Sequence, residues 1–593
     1  MWLSSITATL MMLVSLIAAV VIYVKGFQVE VVKNIPWFDL GEYSNDIILL
    51  ADRLSLPMLF VVVLVSFLVH LYSVGFMADD QHAGRYFAAL GFFTFSMLGL
   101  VISGNLLVTF CFWELVGFSS YLLIGHWRER PAASAAATKA FMFNRIGDAL
   151  FIAGLAITYK VTGLDISHMV EMPWSTIGGL CIFAGVIGKS AQLPLSTWLP
   201  DAMEGPTPVS ALIHAATMVA AGVFLVLRIP VILTPATSEI IAIIGGMTAL
   251  YGGWNALQQY DLKKILAYST ISQLGLMMLA IGSGSIDGAF THLLTHAFFK
   301  ACLFLAAGAI IHSLYPVAHQ GEFSPQDIRN MGGFYKIRPR LFVATTLALA
   351  SLCGLPLFSG FTSKEMIIVP MIHRAIETGD WLAWMYVSIF FIASMLTVLY
   401  CYRLYVKVFF GPHATPYADL TPVPPVMQWP VSLLAILSLG VFFWQFKDPN
   451  WHVIHPRETI IAAISIAWTL LSLGLGWLLF TKNKMNVVEG HFSLDKAYDA
   501  AIIKPALKTS NALATFDKKG IDSVLHSFVY SQVIIAKVAG YFDRYVVDGS
   551  VWLVTKIARG SGNVIRGVTG GQIQSYLAWS ALALIIFIFW LLK

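Results

Sequence analysis

The chain has 593 residues, of which 58% are hydrophobic and 12% are charged, and its formal net charge is +5. A soluble domain carries about 25% charged residues, so this composition excludes a soluble enzyme, a secreted scaffold and a disordered chain, and it indicates a membrane protein. The small positive charge is too scattered to indicate nucleic-acid binding and fits loops that face anionic lipid headgroups.

Unbroken apolar runs recur along the chain, each close to the roughly 20 residues that a helix needs to cross the hydrocarbon core. Strands of a β-barrel would alternate over roughly ten residues, so we expect an all-α polytopic membrane protein with about fifteen transmembrane helices. The first run lacks signal-peptide features before Lys25 and is expected to remain as a span. The predicted spans are 2–24, 55–76, 86–103, 105–126, 136–160, 174–200, 207–229, 238–258, 264–282, 286–313, 339–372, 382–410, 429–446, 458–480 and 572–592.

Basic residues collect in one set of loops, and basic residues near helix ends resist translocation. This set predicts an inside N-terminus and an outside C-terminus. Its members are Arg85, Arg128, Arg130, Lys263, Lys264, Arg329, Lys336, Arg338, Arg340, Arg403, Lys407, Lys482 and Lys484.

Two spans contain a lysine and a nearby proline within an apolar stretch. Lys189 precedes Pro194, and Lys364 lies between Pro356 and Pro370. Both helices are expected to break, and paired interruptions in two halves of a chain are typical of inverted-repeat transporters. The expected organisation is N-terminal transmembrane helices over 1–85, repeats over 86–229 and 238–410, additional transmembrane helices over 429–480, an amphipathic region over 491–560 and a terminal anchor over 572–592.

The region 491–560 alternates apolar and charged positions at helical spacing, which predicts a long amphipathic lateral helix that the last span anchors. The alternative is several shorter helices broken at Gly520 and Gly540, because glycine weakens a helix interior. The pattern sets Phe516, Ile521, Val524, Phe528 and Val529 against Asp517, Lys518, Lys519 and Asp522.

Ionisable residues inside spans are functional candidates, because an unpaired charge at the bilayer centre is costly. Glu114 lies deep in one span and Lys189 at the break of another. Burial alone would neutralise both, whereas pairing would keep both charged, and such a pair can switch. Arg145 and Asp148 share a helix face and could form a local ion pair. Two interpretations stay open: the pair biases the charge state of Glu114 or of Lys189, or it is a static ion pair near a helix end.

His292, His296 and Lys300 recur at a spacing of four residues and share one helix face. One such histidine would usually be a satisfied core residue, but this row favours a proton relay. His214 is a candidate link from Lys189 to the row.

Lys364 is expected to face the central path, and the adjacent Glu365 to modulate it or face an exit. Asp201 and Glu204 lie in a turn-rich segment and are more typical of loop caps or of residues at the mouth of the path than of relay members.

No nucleotide loop is predicted, because the glycine-rich segment 282–288 joins two spans. The five cysteines are spread singly and read as small apolar residues, so we expect no cofactor or metal in this chain.

Several long motifs carry a family resemblance. They are GKSAQLPL (188–195), DAMEGPTPVSALIHAATMV (201–219), DLKKILAYST (261–270), THAFFKA (295–301) and GFTSKE (360–365). The chain resembles the proton-translocating antiporter-like family, which includes the large membrane subunits of respiratory complex I and of multisubunit sodium/proton antiporters. The lateral helix and last span are most similar to the distal complex I members. The first span here aligns with the second of that family, so we expect fifteen spans instead of sixteen.

The resemblance implies a role for each matching position. It implies that Glu114 and Lys189 form the ion pair at the input end of the proton path, and that Asp148 modulates this end. It implies that Lys300 is the central proton carrier and that Lys364 is the lysine on the exit side of the path. The histidines that would connect these groups are His214, His292 and His296.

The resemblance also implies partners and location. NADH, FMN, iron–sulfur clusters and quinone would belong to other subunits of the complex. The partners would be lipids and other membrane-arm subunits, especially adjacent antiporter-like subunits contacted by the lateral helix, in a bacterial inner membrane.

The predicted function is therefore proton translocation within an NADH:quinone oxidoreductase. Two alternatives stay open: a sodium/proton antiporter or ion-coupled inorganic-carbon transporter, and a structural spacer of the membrane arm.

Overall fold

The computed structural model describes residues 2–26, 31–39, 44–166, 169, 175–229, 232–321, 323–411, 420–440, 456–482 and 494–593. The chain divides into two compact units, Met1–Phe492 and Ser493–Lys593. Parts of the predicted regions lie outside the described residues, namely residue 174, residues 441–446, Lys484 of the basic set and residues 491–493.

The first unit is a helical bundle with one β-hairpin between its first two helices. Its elements are α1 (Trp2–Gly26), β1 (Val31–Asp39), β2 (Ser44–Ala51), α2 (Ser55–Phe76), α3 (Ala83–Ile102), α4 (Leu106–Ile124), α5 (Pro131–Thr162), α6 (Thr176–Lys189), α7 (Trp198–Asp201), α8 (Thr207–Ala215), α9 (Met218–Arg228), α10 (Pro235–Gln258), α11 (Leu262–Gly282), α12 (Ile286–Gly321), α13 (Phe334–Ile337), α14 (Pro339–Cys353), α15 (Ser359–Thr378), α16 (Trp381–Tyr405), α17 (Pro425–Leu437) and α18 (Pro456–Gly476). Short 3₁₀ turns form at Ala202–Glu204 and Ile328–Asn330, and π-turns extend α16 over Val406–Phe410 and α18 over Trp477–Lys482.

The all-α membrane fold is confirmed. Within the described ranges, 12 helices are long and apolar enough to cross a membrane, and three shorter apolar helices are Thr176–Lys189, Pro339–Cys353 and Pro425–Leu437. Together they match the predicted number of spans. The antiparallel hairpin β1–β2 was not predicted, because its alternation is weak and Pro36 sits at a register shift.

Both predicted helix breaks are present, although one is displaced. α6 ends at Lys189, and the chain becomes helical again only at Trp198. The predicted span 339–372 is two helices, because α14 ends at Gly354, whose φ of 76° lies in the left-handed region, and α15 begins at Ser359. Lys364 therefore lies within α15, after the break and not at it.

A third interruption was not predicted. The expected span 207–229 is divided into α8 and α9 at Ala216 and Thr217. The Thr217 hydroxyl donates to the Leu212 carbonyl at 2.6 Å. No glycine or proline stands at this position, so the local sequence carries no signal for the break.

The centre of the bundle is formed by α8, α9, α11 and α12, whose apolar windows are fully buried. The helix series α3, α4, α5, α6–α7 and α8–α9 resembles the series α10, α11, α12, α14–α15 and α16, since the third helix in each is the longest and the fourth is interrupted. An odd number of crossings in each series gives the second series the opposite sense in the membrane.

The second unit is one long helix followed by a shorter one. The helix continues from Leu494 to Val568, and both Gly520 and Gly540 lie within it, so the alternative of separate helices is wrong. Its apolar side chains are exposed throughout. The segments are α19 (Leu494–Tyr498), α20 (Lys504–Phe516), α21 (Asp522–Phe542) and α22 (Asp548–Val568), joined by π-turns at Asp499–Ile503, Asp517–Ile521 and Asp543–Val547, and then α23 (Ile573–Leu591).

Candidate functional site

A cluster of charges forms where α4, α5 and the end of α6 meet. Arg145 is ion-paired with Glu114, and its guanidinium also lies 3.8 Å from the Asp148 carboxylate, one turn along α5. The indole Nε1 of Trp113 donates to Asp148 Oδ1 at 2.7 Å. Arg145 and Asp148 therefore do form the predicted local ion pair, and it is part of a larger network.

Lys189 lies beside this network without joining it. Its ammonium is fully buried, 5.7 Å from the centroid of the Trp113 ring, and its Nζ has no hydrogen-bond partner in the described part of the chain. A Cβ atom built at Gly117 would lie 2.5 Å from Lys189 Nζ, which is an overlap, and 3.4 Å from the Arg145 guanidinium, which is a contact. The direct pair of Glu114 with Lys189 is thus absent, because Arg145 occupies the Glu114 carboxylate.

Lys300 lies in the middle of the long helix α12, fully buried. Its Nζ donates to the hydroxyl of Ser269 on α11 at 2.8 Å. A hydroxyl offers an ammonium group a hydrogen bond without a counter-charge. Ser269 was not singled out as a site residue, although a polar residue in a span that is buried on all sides is a detectable signal.

His292 is held between three helices. Its Nδ1 lies 2.8 Å from the Ser363 hydroxyl on α15, and its Nε2 lies 3.2 Å from Gln273 Oε1 on α11. Gln273 in turn donates to Thr397 on α16 at 3.2 Å. The hydrogen bond to Ser363 therefore links the histidine row of α12 to α15, the helix that contains Lys364.

His214 and His296 differ from His292, since the ring nitrogens of both are buried without a hydrogen-bond partner among the described residues. The ring of His214 lies 4.8 Å from that of Phe304, and the ring of His296 lies 5.4 Å from that of Phe299. Buried polar atoms are normally satisfied by protein or ordered water, so these imidazoles have free capacity for a proton or a water molecule.

Lys364 is buried and donates to the backbone carbonyl of Leu352, at the end of α14, at 2.7 Å. Glu365 is half-buried and lines a small cavity with Lys364. In the turn-rich segment, Asp201 is paired with Lys139 at 2.6 Å.

The structure thus arranges the predicted residues from the α4–α6 cluster, through the buried centre, to α15. A polytopic helical bundle with broken helices and a series of buried ionisable side chains defines an ion-translocating membrane protein of the antiporter-like class.

Comparison with known proteins gives the family. Residues 103–397 match the family described as NADH:quinone oxidoreductase/Mrp antiporter, TM, and residues 37–87 match the N-terminus of chain 5 of NADH-ubiquinone oxidoreductase (complex I). The chloroplastic NAD(P)H-quinone oxidoreductase subunit 5 of Chaetosphaeridium globosum is 36% identical over 590 residues, which cover 91% of this chain and 86% of that protein. Its counterpart in Marchantia polymorpha is 34% identical over 627 residues, with 93% and 88% covered. This chain belongs to the NAD(P)H-quinone oxidoreductase subunit 5 family.

Solved structures agree with this assignment. A chain of the Mrp complex from Dietzia sp. DQ12-45-1b has a TM-score of 0.70 and 26% identity, and the match covers 90% of this chain and 60% of that one. This chain therefore spans 60% of the length of that Mrp chain. A chain of the membrane-bound sulfane sulfur reductase, an archaeal respiratory membrane complex, shares the fold with a TM-score of 0.62 at 22% identity, over 79% of this chain and 93% of that one. The predicted antiporter-like family and the multi-pass membrane architecture are confirmed.

Proposed function

We propose that this chain translocates protons as a membrane-arm subunit of an NAD(P)H:quinone oxidoreductase. The observation that supports this most strongly is the environment of Lys189, Lys300 and Lys364. All are buried, and none has a carboxylate within ion-pair distance in the described part of the chain. Lys300 and Lys364 bond only to a hydroxyl and a carbonyl, and Lys189 has no partner.

A buried ammonium group without a counter-ion is close in free energy to its neutral form, so a modest change in nearby charge can load or unload its proton. The Glu114–Arg145–Asp148 network is the nearest such charge to Lys189. If Arg145 leaves Glu114, that carboxylate becomes available to Lys189. We assign Glu114, Arg145, Asp148 and Lys189 to the input.

The central steps are assigned to α8, α11 and α12. His214 and His296 have unpartnered nitrogens within the buried centre, and Lys300 bonds to Ser269. His292 connects the row to α15 through Ser363. We assign Lys364 to the exit side, with Glu365 as its modulator.

The chemistry of these side chains favours protons over sodium. Sodium requires several oxygen ligands, whereas the central part of this series consists of His214, His292, His296 and Lys300, whose nitrogen atoms carry protons and are poor ligands for an alkali cation. The 26% identity to a chain of an Mrp complex makes sodium/proton antiport the second candidate. Proton movement that does not depend on sodium would separate the two.

We also propose partner subunits and a membrane orientation for this chain. Redox centres and quinone would lie in other subunits, and the exposed apolar side chains of the long helix would contact adjacent membrane-arm subunits. The relatives compared are chloroplastic, so they do not support a bacterial inner membrane. We propose an N-terminus on the side of the basic loops and a C-terminus on the opposite side.

The test is proton translocation by the assembled complex in sealed vesicles, comparing the unmodified protein with Lys300→Ala. We expect fewer protons moved per electron, because the central carrier is gone. Subunit composition and NAD(P)H oxidation are measured in the same preparations.

Lys336→Ala is the matched control, since it removes an exposed lysine from the short helix α13, which belongs to the basic set. Lys300→Arg keeps the charge but releases its proton far less readily, and it is expected to pump as poorly as Lys300→Ala. An intact complex with Lys300→Ala that pumps normally, with or without sodium, would overturn the proposal.

A further inference from the structure

A cavity opens between the ends of five helices of the first unit. It has a volume of about 360 Å³, which lies within the range of small-molecule sites. It is bounded by the start of α10, the end of α11, the start of α12, the end of α15 and the start of α16. Lys263 and Arg403 stand at the other ends of α11 and α16. The cavity therefore lies on the side of the bundle opposite the basic set.

The side chains that line this cavity carry charges of both signs. Glu239 on α10 and Asp380 before α16 supply two carboxylates, and Arg374 on α15 supplies a guanidinium. Asp380 accepts a hydrogen bond from the backbone N–H of Leu382 at 3.1 Å. Arg374 Nη1 donates to the backbone carbonyl of Ser283 at 2.9 Å, and since a guanidinium has several N–H groups, donors remain for an anion. The cavity thus offers partners to an anion and to a cation together.

Tyr386 lines the same cavity from α16. Its side chain is buried, with the residue only 4% exposed, and its hydroxyl has no hydrogen-bond partner in the described part of the chain. Buried hydroxyl groups are normally satisfied by protein, water or another bound group. An unpartnered hydroxyl beside a cavity of this size therefore indicates a polar occupant.

The surroundings of the cavity are typical of a membrane–water interface. Trp381 and Trp384 are exposed on the first turn of α16, and tryptophan is enriched at membrane–water interfaces. On α10, Ile243 and Met247 follow Glu239 at a spacing of four residues, so they share its face, and both are exposed. A charged group in the cavity would therefore have an apolar helix face beside it for attached hydrocarbon chains.

We propose that this cavity binds the headgroup of a zwitterionic phospholipid with a primary ammonium group, phosphatidylethanolamine. The ammonium group pairs with the carboxylates of Glu239 and Asp380. The phosphate accepts hydrogen bonds from Arg374 and from the Tyr386 hydroxyl. The acyl chains lie along the exposed apolar face of α10.

The same charges disfavour other common headgroups. Phosphatidylglycerol would bring a negative charge to the two carboxylates without an ammonium group to offset them. The quaternary ammonium of phosphatidylcholine has no N–H group to donate to a carboxylate. Binding of the ethanolamine headgroup does not depend on the proposed proton translocation.

The probe is phosphatidylethanolamine with a photoactivatable diazirine in one acyl chain, added in trace amount to the assembled complex after delipidation in detergent. Labelled peptides are identified by mass spectrometry after illumination. Unlabelled phosphatidylethanolamine, phosphatidylcholine and phosphatidylglycerol are then compared as competitors. We expect label on α10 and α16, which phosphatidylethanolamine displaces at a concentration at least about tenfold lower than either of the other lipids.

Two variants test the polar partners. Glu239→Gln removes one charge and keeps the side-chain shape, and it is expected to reduce labelling by about tenfold at a limiting probe concentration. Tyr386→Phe removes only the hydroxyl and is expected to reduce labelling several-fold. Glu377→Gln is the matched control, because this exposed carboxylate lies one turn beyond Arg374 on α15 and is not among the described residues of the cavity wall.

Equal displacement by the three lipids would overturn the site, and so would equal labelling of Glu239→Gln and Glu377→Gln. Absence of label from α10 and α16 would also overturn it, since the cavity would then be closed to lipid in the complex. If Glu239→Gln does not assemble, Tyr386→Phe decides in its place. A Lys300→Ala complex should be labelled like the unmodified one, so loss of pumping and loss of lipid binding are distinguishable.

Discussion

Arg145 is ion-paired with Glu114, and Lys189 takes no part in this contact. The Glu114 Oε1, the Asp148 Oδ2 and the Lys189 Nζ are all buried without a hydrogen-bond partner in the described chain. Buried polar atoms of this kind indicate a network with a second arrangement available to it. The structure therefore corresponds to an input cluster in which Arg145, and not Lys189, holds the carboxylate.

Arg145→Ala should lower proton translocation in the assembled complex by about tenfold or more. Loss of the guanidinium frees Glu114 to pair permanently with Lys189. The Glu114 carboxylate then can no longer alternate between Arg145 and Lys189. The measurement is the number of protons moved per electron in sealed vesicles. Arg128→Ala, in an exposed loop, is the control, and an Arg145→Ala complex that pumps like this control contradicts the assignment.

Gly117→Ala should impair translocation without removing any ionisable group. A Cβ atom at this position overlaps the Lys189 ammonium, which must therefore move. Gly91→Ala on α3 is the matched control, because nothing lies within 4 Å of a Cβ atom there. Assembly is checked by native gel. Equal pumping by the two alanine variants would show that the position of Lys189 is not critical.

Ser269→Ala should slow translocation by roughly tenfold to 150-fold, because it removes the hydrogen bond to Lys300, and such bonds to charged groups contribute about 1.5–3 kcal/mol. The neighbouring Thr270→Ala is the control, since that hydroxyl bonds to the Leu266 carbonyl of its own helix. Turnover-dependent proton uptake measures the effect. The prediction is wrong if both variants pump alike.

Gln273→Ala should destabilise the first unit by about 1–3 kcal/mol, because His292 Nε2 and the Thr397 hydroxyl lose their shared partner in the buried centre. Thermal unfolding of the purified complex, followed through this subunit, measures the loss. Gln326→Ala, in a surface segment, serves for comparison. An unchanged unfolding temperature would mean that water replaces the amide without cost.

Phe528→Asp should weaken assembly of the chain with its partner subunits. Phe528 is 64% exposed on α21, and under the proposed function this apolar side chain is covered by an adjacent subunit. Lys537→Asp on the same helix is the control for the added carboxylate. Native gel electrophoresis of solubilised membranes reports the assembled fraction. Normal assembly of Phe528→Asp would place the contact elsewhere.

The sequence alone determined the class of protein, the approximate positions of the spans and most of the ionisable candidates. Hydropathy over a span is a local property, and Pro194 and Pro356, which cannot donate a backbone hydrogen bond, lie in the two interruptions that the sequence predicted. The long helix from Leu494 was also predictable from periodicity, and Gly520 and Gly540 did not break it.

Only the tertiary structure decided which side chains meet. Glu114 and Arg145 come from different helices, as do Lys300 and Ser269, and His292 and Ser363. The break between α8 and α9 likewise has no local signal. Whether a buried polar group finds a partner, and which one, is set by the rotation and depth of neighbouring helices, which no local sequence pattern specifies.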